Sequence, residues 1–105
     1  MKPEKEYRLL LEMDPQYQRD ENQLFSLIDD EVVMLNIENG EYYYLNEVGS
    51  DIWKLLENPT NLSQIILSLM ELYNVSHAEC TEDVLTYLVE LTERNLIFRI
   101  DEKAS

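Results

Sequence analysis

A chain of 105 residues holds one domain with a single hydrophobic core. Its 22 acidic and 8 basic residues give a net charge of −14, which repels nucleic acid and attracts basic partners. One cysteine excludes an internal disulfide, no apolar run approaches the ~20 residues that cross a bilayer, and two glycines among 45% apolar residues exclude a disordered chain.

The first segment, MKPEKEYRLLLEM, has a three-leucine centre that is too short and too charged for a signal peptide, so a cytoplasmic protein is expected. Tyr7, Leu9, Leu10, Leu11 and Met13 form an apolar patch compatible with a short helix or a strand, and Asp14-Pro15 ends it. Gln16 to Gln23 is polar and reads as extended chain or loop.

Residues 24–28, 31–37 and 41–45 are predicted to form a three-stranded antiparallel meander, with Asp29-Asp30 as the first turn. Asn39-Gly40 lies between two β-prone runs, a strong hairpin signal. A two-residue loop would set Met34 opposite Leu45, and a four-residue loop opposite Tyr43. Both registers put Val32, Met34, Tyr43 and Leu45 on one face, and Val33, Leu35, Ile37, Tyr42 and Tyr44 on the other. The first face leads into the helices. The second is equally apolar and needs a cover, either the N-terminal segment or a partner. The strand at 41–45 is an edge, with a row of backbone groups open to a further strand.

Three helices are predicted next. The first runs from Glu47 to Glu57 behind an Asn46 N-cap, with Val48, Ile52, Leu55 and Leu56 inward and Trp53 flanking them. The second opens at Asn61, where Gln64 completes an approximate capping box, and its stripe is Leu62, Ile65, Ile66, Leu69, Met70 and Tyr73. The third opens at Ser76 with Glu79 in the capping-box position, buries Val84, Leu85, Leu88 and Leu91, and stops at Glu93-Arg94-Asn95. Leu96 to Ile100 is a closing short strand. The fold class is α+β: a three-stranded antiparallel sheet, three helices in a winged-helix-like arrangement, and a short C-terminal strand.

That arrangement invites a DNA-binding reading, and the charge opposes it. No lysine or arginine lies between Lys54 and Arg94, and the third helix carries Glu79, Glu82, Asp83, Glu90 and Glu93. A transcriptional regulator of this shape would have to act through protein contacts. Enzyme chemistry is equally thin. His77 is the sole histidine, Cys80 lies three residues on, and no third group completes a catalytic or metal-binding set. A semi-buried thiol on a helix is the simpler reading of Cys80. Asp29-Asp30-Glu31 lacks the spaced oxygens of a calcium loop, and no glycine-rich phosphate loop is present.

The pattern Asn36-x3-Gly40-x-Tyr42-Tyr43-x-Leu45-Asn46-x-Val48-Gly49-x2-Ile52-Trp53 resembles the PqqD-like family. The similarity continues through Asn61-Leu62-x2-Ile65, Leu72-Tyr73-x-Val75, Asp83-Val84-x3-Leu88-x2-Leu91 and Leu96-Ile97, mostly as apolar spacing. Members are recognition elements for ribosomally synthesised and post-translationally modified peptides (RiPPs). They bind the leader of a precursor peptide and present it to a modifying enzyme, such as a leader protease or a radical SAM enzyme. The tyrosine-leucine-asparagine segment looks closer to the split leader-binding proteins of lasso-peptide pathways.

The resemblance implies a non-catalytic adaptor, monomeric when free, with no cofactor, nucleic acid or membrane partner. It implies a leader paired with the third strand, at Glu41, Tyr42, Tyr43, Tyr44 and Leu45. It also implies a groove against the third helix, at Asp83, Val84, Tyr87, Leu88, Glu90 and Leu91, whose acidic character suits basic leaders. The space between Tyr43 and Tyr87 is the expected pocket for one leader side chain. The expected layout is an N-terminal extension at 1–23, the peptide-binding domain at 24–100 and a tail at 101–105.

Overall fold

The structure, a computed structural model, describes residues 4–100; the predicted tail 101–105 lies outside them. The order is α1 (Glu4–Met13), β1 (Gln16–Arg19), β2 (Leu24–Ile28), β3 (Glu31–Leu35), β4 (Tyr42–Tyr44), α2 (Glu47–Leu55), β5 (Thr60–Asn61), α3 (Leu62–Tyr73), α4 (His77–Glu93) and β6 (Ile97–Arg99). Two antiparallel sheets result, one in the order β2-β3-β4 and a smaller one in the order β5-β1-β6. The mixed α+β class, the meander, the three helices after it and the closing strand are all present.

The β2–β3 turn is Asp29-Asp30, with φ of 52° and 70°. Aspartate tolerates this left-handed region better than most residues, and two such residues match the twist of a tight hairpin. The β3–β4 link follows the longer of the two loop alternatives, because Met34 pairs with Tyr43. Asn36 builds that loop: its Oδ1 accepts from the N–H groups of Glu38 (2.9 Å) and Asn39 (3.3 Å). Gly40 supplies the left-handed step at φ 73°.

Val32 and Met34 point inward and are fully buried. They meet a core built from Ile52, Trp53 and Leu56 of the α2 region, Leu62, Ile65, Ile66 and Leu69 of α3, and Val84, Leu85, Leu88 and Leu91 of α4. Trp53, expected at the flank, is 1% exposed. Phe25 meets its ring edge-on at 5.5 Å, and the Arg19 guanidinium lies 4.8 Å from both aromatic rings. Arg19 Nε also donates to the Trp53 carbonyl at 2.9 Å. These contacts come from β1 and β2, so helical periodicity alone could not reveal them.

The N-terminal segment differs from expectation in two ways. It does not cover the outer face of the main sheet, because the chain after α1 turns aside to pair as β1 between β5 and β6. Tyr17 is thereby 3% exposed and part of the core, so residues assigned to an extension help to build the domain. Second, the Asn61-Gln64 capping box gives way to a cap from elsewhere. Asn61 holds the N-cap backbone position without a side-chain capping bond. Instead the Asp14 carboxylate accepts from the Ser63 N–H at 2.7 Å and from the Ser63 hydroxyl at 2.9 Å. A charged acceptor outcompetes an amide for the helix N-terminus. The other two caps form as expected, Asn46 accepting from Gly49 N–H (2.9 Å) and Ser76 from Glu79 N–H (3.2 Å).

Candidate functional site

Strand β4 lies at the edge of its sheet. The Leu45 N–H donates to the Val32 carbonyl at 3.0 Å, so in this register Tyr43 and Leu45 direct their backbone toward β3. The N–H and C=O groups of Tyr42 and Tyr44 then face the open edge. At the far end Ser50 intervenes in the ladder: its hydroxyl accepts from the Val32 N–H (2.9 Å) and donates to the Leu45 carbonyl (3.1 Å). This wedge, on the first turns of α2, fixes where the strand stops and the helix begins.

A groove of about 370 Å³ runs between β4 and α4. Tyr42 to Asn46 form one wall, and Tyr87, Glu90, Leu91 and Arg94 the other. Tyr87 is half-buried, and its ring packs where a Cβ on Gly49 would approach Cε1 to 3.4 Å. The Tyr87 hydroxyl accepts a hydrogen bond from Asn46 Nδ2, while Asn46 Oδ1 caps α2. At the other end the Arg94 guanidinium lies 4.6 Å above the Tyr43 ring and 3.4 Å from Glu90 Oε2. The Tyr43 hydroxyl donates to Glu41 Oε1 at 3.1 Å.

Of the residues expected here, Tyr42, Tyr43, Tyr44, Leu45, Tyr87, Glu90 and Leu91 line the groove. Val84 and Leu88 are fully buried under α4 and present no surface to it, because positions three and four apart on this helix face the core. Glu41 and Asp83 are exposed and lie outside the lining. Two lining residues carried other readings in the sequence: Asn46 as a helix cap and Arg94 as a helix stop. An arginine one helical turn beyond Glu90 on a tyrosine-rich strand's side of the domain was the available signal.

A second hollow of about 410 Å³ lies on the outer face of the main sheet, lined by Leu24, Ile28, Val33, Leu35, Tyr42 and Tyr44 among others. Tyr42 and Tyr44 are 64% and 76% exposed and belong to both surfaces. His77 and Cys80 do not meet chemically. His77 is exposed and contacts Thr81, whereas the buried Cys80 thiol faces the Ile66 carbonyl at 3.5 Å. Burial, then Asp83, pushes that thiol's pKa up, toward the unreactive form. Among the described residues no histidine, cysteine and carboxylate group of three or more could hold a metal, and no helix is long and apolar enough to cross a membrane.

Comparison with known proteins follows this geometry. The family model for coenzyme PQQ synthesis protein D (PqqD) matches residues 31–97. The structure of TbiB1 in complex with the TbiA(beta) leader peptide is 31% identical, with a TM-score of 0.71 over 76% of this chain and 93% of that one. Lasso peptide synthetase B1 complexed with its leader peptide is 20% identical, with a TM-score of 0.69 over 78% and 96%. The PqqD truncation of Methylobacterium extorquens PqqCD, a stand-alone RiPP recognition element solved by NMR, is also 20% identical, with a TM-score of 0.66 over 80% and 89%. The last two bear on the fold alone. No curated protein matches. With the matched model spanning most of the domain and a 31% identical structure aligned over nearly its whole length, this chain belongs to the PqqD family.

Proposed function

We propose that this protein is a non-catalytic adaptor that binds the leader of a ribosomal precursor peptide by strand addition and presents it to a modifying enzyme. The observation that carries the reading is the open edge of β4 beside the groove against α4. Outward N–H and C=O groups on Tyr42 and Tyr44 supply backbone pairing, and the groove supplies side-chain discrimination. The structure of TbiB1 holds a leader peptide, which supports the same use here.

The leader lies along Glu41 to Leu45, with Tyr87, Glu90 and Leu91 as the opposing wall and Asp83 at its margin. Val84 and Leu88 serve as the buried support of that wall. Residues 24–100, completed by β1, form the binding unit, which acts in the cytoplasm as a monomer. The apolar outer face, left open by the N-terminal segment, is where we place contact with the modifying enzyme, a leader protease or a radical SAM enzyme. A DNA-reading role is disfavoured, because α4 exposes Glu79, Asp83, Glu90 and Glu93.

The test is a titration with the leader of the precursor encoded beside this gene, followed by residue-resolved amide exchange. Tyr42 and Tyr44 amides should gain protection on binding, while Tyr43 and Leu45, already bonded to β3, should change little. Protection confined to Leu24–Ile28 would move the docking edge to β2, and no binding at all would remove the adaptor reading.

A further inference from the structure

We infer that the groove reads the order of charge along a docked peptide strand, taking a carboxylate at the Arg94 end and a basic side chain at the Tyr87 end. The inference rests on the peptide-binding reading above and adds the chemistry of the ligand. Charge totals alone would describe the protein as a uniform attractant for cations. The groove is not uniform.

Arg94 is the cation in its lining. Tyr43 supports the guanidinium from below at 4.6 Å, which holds it over the mouth of the groove. Its partner Glu90 lies one helical turn away at 3.4 Å, with both side chains 42–52% exposed. Such an exposed pair is weak. Arginine also has five donors in a planar fork, so one contact with Glu90 leaves others for an incoming carboxylate. A neutral acceptor would gain less from them than a carboxylate, and a basic side chain would gain nothing.

The Arg94 end also holds Glu90 and Glu41, so what sets the opposite end apart is acidic groups with no cation among them. Asp83 is exposed one turn before Tyr87, and Glu47 directly follows Asn46. Asp51, on the same α2, accepts a hydrogen bond from the Tyr73 hydroxyl of α3. No lysine or arginine occurs from residue 55 to residue 93 to offset them. Lys54 is directed elsewhere, donating to the Asp30 carbonyl in the β2–β3 turn at 3.1 Å.

The spacing follows from element geometry. Asp83 and Arg94 are eleven positions apart on one helix, about 16 Å at 1.5 Å per residue. A strand covers that length in about five residues, and side chains on one face recur every second residue. The acidic and basic residues of the peptide should therefore stand about four or six positions apart.

The experiment pans a display library of random peptides of about twelve residues, long enough to pass the groove, against the full chain and against Arg94→Glu and Arg94→Gln. Circular dichroism checks that both variants fold, and Arg94→Gln removes the charge without reversing it at the helix C-terminus. The wild type should enrich peptides with an acid and a base at that separation. Arg94→Gln should lose the acid preference, and Arg94→Glu should replace it with a basic one. A selected acidic peptide should bind Arg94→Gln roughly fivefold more weakly. Winners that protect Tyr42 and Tyr44 amides yet carry no charge order, or the same order with every variant, would overturn this inference and leave peptide docking intact. Winners that leave those amides unprotected would overturn both.

Discussion

Tyr87 joins the two walls of the groove, with its ring against Gly49 and its hydroxyl bonded to Asn46. Tyr87→Ala should weaken leader binding by about 2 kcal/mol, roughly 30-fold, if the residue is a hot spot. Leu88→Ala one position on should instead cost about 2–5 kcal/mol of stability, because Leu88 is wholly buried. Leader affinity and urea midpoint measured on both variants separate the roles, and unchanged affinity in folded Tyr87→Ala would shift the site toward the outer-facing Tyr42 and Tyr44. Tyr73 offers a pH test. Burial, then the hydrogen bond to Asp51, pushes its phenol above the ordinary value. The folded state thus favours the neutral phenol. That contribution is complete below about pH 10 and is lost as pH rises from there through the folded-state pKa. The urea midpoint should fall along that alkaline limb in the wild type, and the fall should be shallower in Tyr73→Phe. At this scale alternation exposed the tyrosine strand, whereas the Tyr43–Tyr87 space came into view through the family resemblance. The sequence hid Arg94 and Asn46, since each already had a local role that accounted for it.

Helix α3 depends on an aspartate 49 positions earlier in the chain. Asp14→Ala should lower stability by about 1 kcal/mol, the usual loss for an N-cap, without changing leader affinity, as the cap is remote from the groove. A midpoint drop with unaltered titration is the expected pair of results, and no change in midpoint would mean that Asn61 can take over the cap. This bond also shows which elements were legible. Asn46 and Ser76 cap their own helices, so their roles can be read from three residues of sequence. The meander shows itself in β-prone runs separated by turn residues, and the three helices after it in a period near 3.6. Strands β1 and β5 have neither: one is the polar QYQR, and the other is two residues long. They exist because they pair with each other and β1 pairs also with β6, a fact of the tertiary structure. The same pairing drew the N-terminal segment away from the outer sheet face, for which it was one of two candidate covers.

For the whole molecule the dominant quantity is the net charge of −14. Leader association should slow as salt rises, because screening shortens to about 3 Å at 1 M and the on-rate carries most of the electrostatic steering. Stopped-flow rates at low and high salt test this, and a flat response would confine the charge to a solubility role. That solubility role has a specific target. The main sheet has two unpaired margins, β4 on one side and the wholly exposed Leu24–Ile28 on the other. They are different surfaces, so joining the β4 of one molecule to the β2 of the next would not close into a ring pair. It would propagate head to tail, into a larger ring or an open filament. Mutual repulsion is what stands against that growth, and it fades as the solution approaches the isoelectric point of about 4.2. A leader seated on β4, as proposed, would terminate such a chain at one end, so cargo occupancy would double as a polymerisation stop and the empty protein would be the form most in need of its charge.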